Sequence, residues 1–257
     1  MNRLIASEFQ RIWKNRQTIL LLVFCIVITI VSCIWRYAYP VGSYDAVNYN
    51  VELNRLNFAP FIFYGVRLEL MYIILPIMYI NSISHEIYMG AFRIYATRPY
   101  KKHEFIISKI IALALVTFIF VFIVFAISTI FGYLFMPKVS KVKFYNIQHE
   151  FSMMQAFLYT IKFYIIQFVI CLCVLGLSVV IGTIINNFVI SIFAIIASII
   201  ALGFHTKLFE FINYTTTYGF YALGNNAPIS FYISLGMFLT ISLVISTFLW
   251  RRKDYLC

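Results

Sequence analysis

The residues of this chain that could do chemistry are sparse, and most stand at the ends of long apolar runs. His85-Glu86 opens like the H-E-x-x-H zinc motif, but position 89 is methionine, which removes the second zinc ligand. The four histidines, His85, His103, His149 and His205, stand at four separate run ends, an arrangement that argues against a metal cluster. Of the five cysteines, Cys25, Cys33, Cys171 and Cys173 lie in apolar runs and read as small hydrophobes. Cys171-Leu172-Cys173 has no companion His or acid, so its spacing does not point to metal binding. Cys257 is the last residue, which leaves no prenylation box. None of the 10 glycines is followed by lysine, so there is no P-loop, and no G-x-S-x-G elbow occurs. The expectation is a chain that is not an enzyme and binds no metal or cofactor of its own.

Composition explains why such groups are rare. Apolar residues make up 63% of the 257 and charged residues only 11%, with a mean hydropathy of +0.90. A soluble domain carries roughly 25% charged residues, so there is too little polar surface here to cover a water-soluble globule. That excludes a soluble enzyme, a secreted disulfide scaffold and a disordered chain. The net charge of +11 would suggest nucleic acid in a soluble protein. Here the basic stretches are short and separated by apolar runs, so anionic membrane lipids are the expected partner and nucleic acid is not.

A membrane crossing needs about 20 mostly apolar residues. Charge-free runs extend over Gln17–Trp35, Ile110–Pro137, Phe163–Phe204 and Phe211–Trp250. The third is long enough for two crossings, with Asn186-Asn187 as the turn between them. The first half of the fourth is too polar for lipid. Leu70–Ser84 reaches crossing length only by taking in Arg67 and Glu69. The prediction is an all-α membrane protein forming one domain over residues 1–257. Its six transmembrane helices fall at about 17–36, 61–86, 108–135, 160–185, 188–205 and 229–250. The first is too long for a signal-peptide core, and no A-x-A-like site follows it.

Six crossings put both termini on one side. Twelve of the 20 Lys and Arg fall on that side, which predicts cytoplasmic termini and a multi-pass protein of the cell membrane. In residues 1–16, Met1, Ile5, Phe9, Ile12 and Trp13 share one arc at 100° per residue. Arg3, Gln10, Arg11, Lys14 and Asn15 share the other, and Leu4 stands on the wrong face. This pattern predicts an amphipathic helix in the membrane interface, anchored by Phe9 and Trp13.

Two groups of polar residues then need positions. Arg67, Glu69 and Lys162 are charges near the outer ends of the second and fourth helices, where they mark a translocation path or gate. Glu69 and Lys162 are the attractive pair; the plain alternative is that all three snorkel to head groups. The second group is the loop Ser84–Lys109, basic and aromatic, in which Gly90 permits a change of direction and Pro99 stops a short helix. Such a helix lying between two crossings is a docking handle for a soluble partner; the plain alternative is a loop whose cations only set topology. The outer segments 36–60, 137–155 and 205–228 are large enough to be structured, the last with short helices. Asn213-Tyr214-Thr215 matches a glycosylation sequon, a common accident.

Six spans, an N-terminal interfacial helix and the stretch from Glu86 to Lys109 resemble the permease subunit of ABC-2 type transporters. The acid-x3-Gly-x2-basic pattern runs there into Thr97-Arg98-Pro99-Tyr100-Lys101-Lys102-His103-Glu104. The resemblance covers the chain in architecture and about 25 residues in motif; the polar insert at 36–60 departs from it. It implies that Glu86, Gly90, Phe92, Arg93, Tyr95, Arg98 and Pro99 form a cytoplasmic coupling helix seated on a separate cytosolic ATP-binding subunit. ATP and Mg would be bound by that partner. It further implies a dimer with a second copy or a related permease, in a bacterial cell membrane. The exported substrate would be a hydrophobic or amphipathic compound such as a peptide or antibiotic. Two other classes fit the same spans: a membrane-embedded enzyme, and a secondary transporter, although the latter ordinarily has more spans and internal repeats, and no repeat is visible here.

Overall fold

Asn15 sets the first boundary of the chain. Its side-chain oxygen accepts a hydrogen bond from the Gln17 amide, ending the N-terminal helix and starting the next. The structure is a computed structural model that describes residues 1–44, 50–85, 102–185, 187–224 and 226–252. Helix α1 (Asn2–Trp13) is followed by α2 (Arg16–Ala38) and a hairpin of β1 (Val41–Ser43) and β2 (Asn50–Glu52). Then come α3 (Phe58–Glu69), a π-turn (Leu70–Ile74), α4 (Leu75–Ile80) and a second π-turn (Asn81–His85). Helices α5 (Lys102–Phe135), α6 (Met153–Ile184) and α7 (Phe188–His205) lead to a 3-10 turn (Glu210–Ile212), α8 (Thr215–Leu223) and α9 (Ile229–Arg252). Among the described residues six helical stretches are long and apolar enough to cross a membrane: Arg16–Ala38, Phe58–Ser84, Glu104–Phe135, Met153–Ile184, Phe188–His205 and Ile229–Trp250.

The expected crossings and the observed helices agree in number and order. Asn187 caps α7 through bonds from the Val189 and Ile190 amides, as the Asn-Asn turn anticipated. Helix α6 begins at 153 rather than near 160. Gln155 Oε1 accepts from the Ser152 amide at 2.9 Å, and this local cap starts the helix before its apolar stretch does. Two local features add to this. Residues 41–52 form an antiparallel hairpin, Val41 opposite Glu52 and Ser43 opposite Asn50, so the chain is not purely helical. The π-turn at 70–74 stands just before Pro76, which has no amide to donate and whose ring crowds the carbonyl four residues back.

The central elements are the α3–α4 stretch and α6, with 56% of their crossing windows buried, against 22% for α2, α7 and α9. Helix α6 packs on α4, α5, α7, α8 and most extensively on α9. There Gly176 faces Ser242 so closely that a Cβ at 176 would overlap the serine hydroxyl, the small-residue contact by which helices approach in lipid. The outward row of α2, including Leu20, Val23, Val27 and Val31, is exposed and apolar. At the near end of the bundle α1 meets α5; the hairpin and α8 cover the far end.

At the far end, Tyr44, Phe61, Phe163 and Phe220 form one aromatic cluster with centroid spacings of 4.8–5.1 Å, joining hairpin, α3, α6 and α8. Gly42 is required there, because a Cβ would stand 2.8 Å from the Phe61 ring. Arg55 Nε donates to Val139 O at 3.1 Å, fastening the 137–152 segment to the same cap.

Candidate functional site

Polar groups gather at both ends of the bundle. At the near end α1 lies against α5, but not on the face that periodicity selected. Leu4, Glu8 and Ile12 are the buried residues of α1, one turn apart in sequence. Leu4, which stood apart from the apolar arc, is thus on the protein side. Phe9 and Trp13 stack at 6.1 Å, with Trp13 exposed, a disposition suited to an interfacial anchor. An acid on the buried face needs a partner, and Glu8 has two: it accepts from Arg11 and lies 3.5 Å from Lys109 Nζ. Glu8 and Lys109 are 3% and 1% exposed, so this is a buried pair rather than a surface one. Lys109 Nζ also donates to Ser82 O at 2.8 Å and lies 5.2 Å from the Phe105 ring centre. Phe105 in turn stacks on Trp250 of α9. One ammonium therefore joins α1, the end of the second crossing and the start of the third.

Those two crossings bracket residues 86–101. The expected coupling residues Glu86, Gly90, Phe92, Arg93, Tyr95, Arg98 and Pro99 lie outside the described residues.

At the far end Arg67 is the hub. Its guanidinium lies 4.4 Å from the Tyr64 ring centre, and its Nη1 donates to Asn213 O at 2.8 Å. Tyr72 donates to Asn213 Oδ1 at 2.6 Å. Asn213 thereby ties the second crossing to the connection before α8, and Gly203 makes room for it, since a Cβ there would overlap the Asn213 amide. Asn213 is buried and its oxygen is engaged, which argues against its use as a glycosylation acceptor. Arg36 stands on the other side of Tyr64's neighbourhood, 5.9 Å from the ring centre, and donates to Val41 O. A pocket of about 510 Å³ opens between them, lined also by Ser43, Tyr44, Tyr214 and Thr217.

Glu69 and Lys162 do not join this group. No ion pair connects them; one Glu69 carboxylate oxygen is buried without a hydrogen-bond partner, and Lys162 is exposed on α6. Because α6 starts at 153, Lys162 stands in its third turn rather than at its end. Among the described residues no group of three His, Cys, Asp or Glu could hold a metal ion, and Cys25, Cys33, Cys171 and Cys173 are free and buried.

Sequence reasoning missed Glu8, Lys109 and Asn213. The signal for Glu8 was present: it is the acid at i+4 from Leu4 and i−4 from Ile12, on one stripe. No family model and no curated protein matches this chain.

Proposed function

We propose that this chain is the membrane-spanning subunit of an exporter driven by a separate cytosolic ATP-binding protein, with its termini in the cytoplasm of a bacterial cell. The observation that carries this reading is the buried Glu8–Lys109–Ser82 junction. Residues 86–101 carry the cations and aromatics suited to docking on a soluble protein. Their flanking helices are fastened to each other and to α1 by one ammonium. A displacement of the loop by a docked ATPase is thus passed to three elements at once, which coupling requires and a loop serving only topology does not. Glu86, Gly90, Phe92, Arg93, Tyr95, Arg98 and Pro99 are the proposed contact, and the partner holds the ATP and Mg. A second permease copy completes the path, and the cargo is a hydrophobic or amphipathic molecule.

Arg93→Glu combined with Tyr95→Ala should leave the chain inserted in the membrane but release the ATPase during co-purification and abolish export. Retention of the ATPase by that double variant removes the coupling assignment. Orientation is checked separately: cysteines placed at Ser43 and Ser140 should react with an impermeant label from outside, and one at Lys101 should not.

A further inference from the structure

The far-end pocket contains an excess of hydrogen-bond donors and positive charge. Arg36 and Arg67 both lie against Tyr64, at 5.9 and 4.4 Å from its ring centre, and among the described residues neither forms an ion pair. Each guanidinium spends one bond on a backbone carbonyl, Val41 O and Asn213 O, which fixes its position while leaving most of its five N–H groups uncommitted. The Arg67 Nε is buried with no partner. Tyr44 lines the same pocket, is 4% exposed, and its buried hydroxyl also has no partner. Burial pushes the Tyr44 pKa above the ordinary tyrosine range, so the hydroxyl keeps its proton and remains a donor.

The N-terminus of α8 adds to this. Tyr214, its N-cap, makes no side-chain cap bond, and both Tyr214 and Thr217 of the first turn line the pocket. The first-turn amides of a helix have no intrahelical acceptors and carry its positive dipole end. Two guanidiniums and an uncapped helix start on one cavity form an anion site of the kind phosphate oxygens fill.

Height in the bundle narrows the source. At 1.5 Å per residue, Arg67 lies about 26 Å along its crossing from Ser84, and Arg36 about 30 Å from Arg16. That is about one hydrocarbon thickness, which places both at the head-group level of the far leaflet. Trp35 and Tyr39, 65% and 61% exposed with their rings tilted and 5.2 Å apart, belong at the same level.

We propose that the cavity between Arg36, Tyr44, Arg67, Tyr214 and Thr217 binds a phosphate-bearing anion, the head-group phosphate of a phospholipid or its soluble counterpart. The site does not depend on the transport reading. Dispersion of the anion's charge over both guanidiniums would link hairpin, second crossing and α8 through one ligand.

The test uses the full chain, purified in detergent, with phosphatidylglycerol, glycerol phosphate and uncharged diacylglycerol as probes. Native mass spectrometry reads retention, and thermal unfolding reads stabilisation. Phosphatidylglycerol should be retained and should raise the Tm, and diacylglycerol should do neither. Arg36→Gln and Arg67→Gln should each weaken retention by about tenfold, the loss expected for one charge-assisted contact. Because both arginines also hold backbone carbonyls, Thr217→Glu serves as a second variant that leaves those bonds intact. It places a carboxylate at the helix start, where it should raise the Tm of the unliganded chain and block phosphatidylglycerol. Binding of glycerol phosphate alone would identify a soluble source, and binding of the lipid alone a head-group source. Equal retention by the native chain, the double arginine variant and Thr217→Glu overturns the proposal, as does equal retention of diacylglycerol.

Discussion

The two ends of this bundle hold their polar groups by opposite means. At the near end the buried Glu8 carboxylate takes both Arg11 and the buried Lys109 ammonium, and Lys109 also donates to the Ser82 carbonyl. At the far end two guanidiniums are fastened to carbonyls and a ring, and among the described residues neither forms an ion pair. In the first arrangement every charge has a partner of opposite sign, and removing one leaves a charge in low dielectric. The second is open among the described residues, which is what the proposed anion would close. Closed junctions suit transmission of movement, and open ones suit binding.

The largest expected effect tests the closed end. Lys109→Ala leaves Glu8 buried with half its compensation and the Ser82 carbonyl without its donor. A loss of about 3–5 kcal/mol in unfolding free energy is expected. Replacing both Glu8 and Lys109 by leucine should recover most of it, since an apolar pair of similar volume needs no compensation. If the double replacement instead loses the sum of two single losses, the residues are not coupled and the junction is not closed.

Next in size is Gly203→Ala at the far end. The added methyl displaces the Asn213 amide and with it the bonds from Tyr72 and Arg67, at a cost of about 1–3 kcal/mol for overpacking. A Tm equal to that of the native chain would show that the Asn213 connection is pliable. Tyr72→Phe is a milder probe of the same hub. Removing the hydroxyl leaves the Asn213 oxygen without its donor, and about 1–2 kcal/mol of stability should be lost in a denaturation measurement.

The smallest effect concerns the pair that sequence position suggested. Glu69 and Lys162 make no contact, so Glu69→Ala and Lys162→Ala should act additively on stability, within about 0.5 kcal/mol. A coupling energy above that limit would mean that the two charges meet in another conformation of the protein.

The legibility of this chain was uneven for identifiable reasons. Crossing helices are defined by a run of apolar residues, a one-dimensional property, so all six were found in order. Their ends are less visible, because a cap such as Ser152–Gln155 extends a helix beyond its apolar stretch. The hairpin at 41–52 was read only as polar and aromatic: its strands are three residues each, too short for alternation to register, and it is held by Phe61 against Gly42 and Tyr44. In α1 the arc with most hydrophobic residues, including Phe9 and Trp13, was taken as the anchoring face. The stripe Leu4–Glu8–Ile12 contains an acid, and an acid becomes a core residue only when a cation from elsewhere in the chain is brought to it.

By itself, then, the amino-acid order determined six helices long and apolar enough to cross a membrane, and where the turn at Asn187 falls. These depend on local hydropathy, backbone hydrogen bonding within a helix and short-range capping, which neighbours in sequence decide. Only the tertiary structure decided which charges meet. Arg67 bonds to Asn213, Glu69 and Lys162 form no ion pair, and Lys109 reaches Glu8 across a hundred residues of chain. The physical reason is that a buried charge takes whatever partner the packing of helices places within a few ångströms, and helix rotation and tilt are set by side-chain interlocking over the whole bundle.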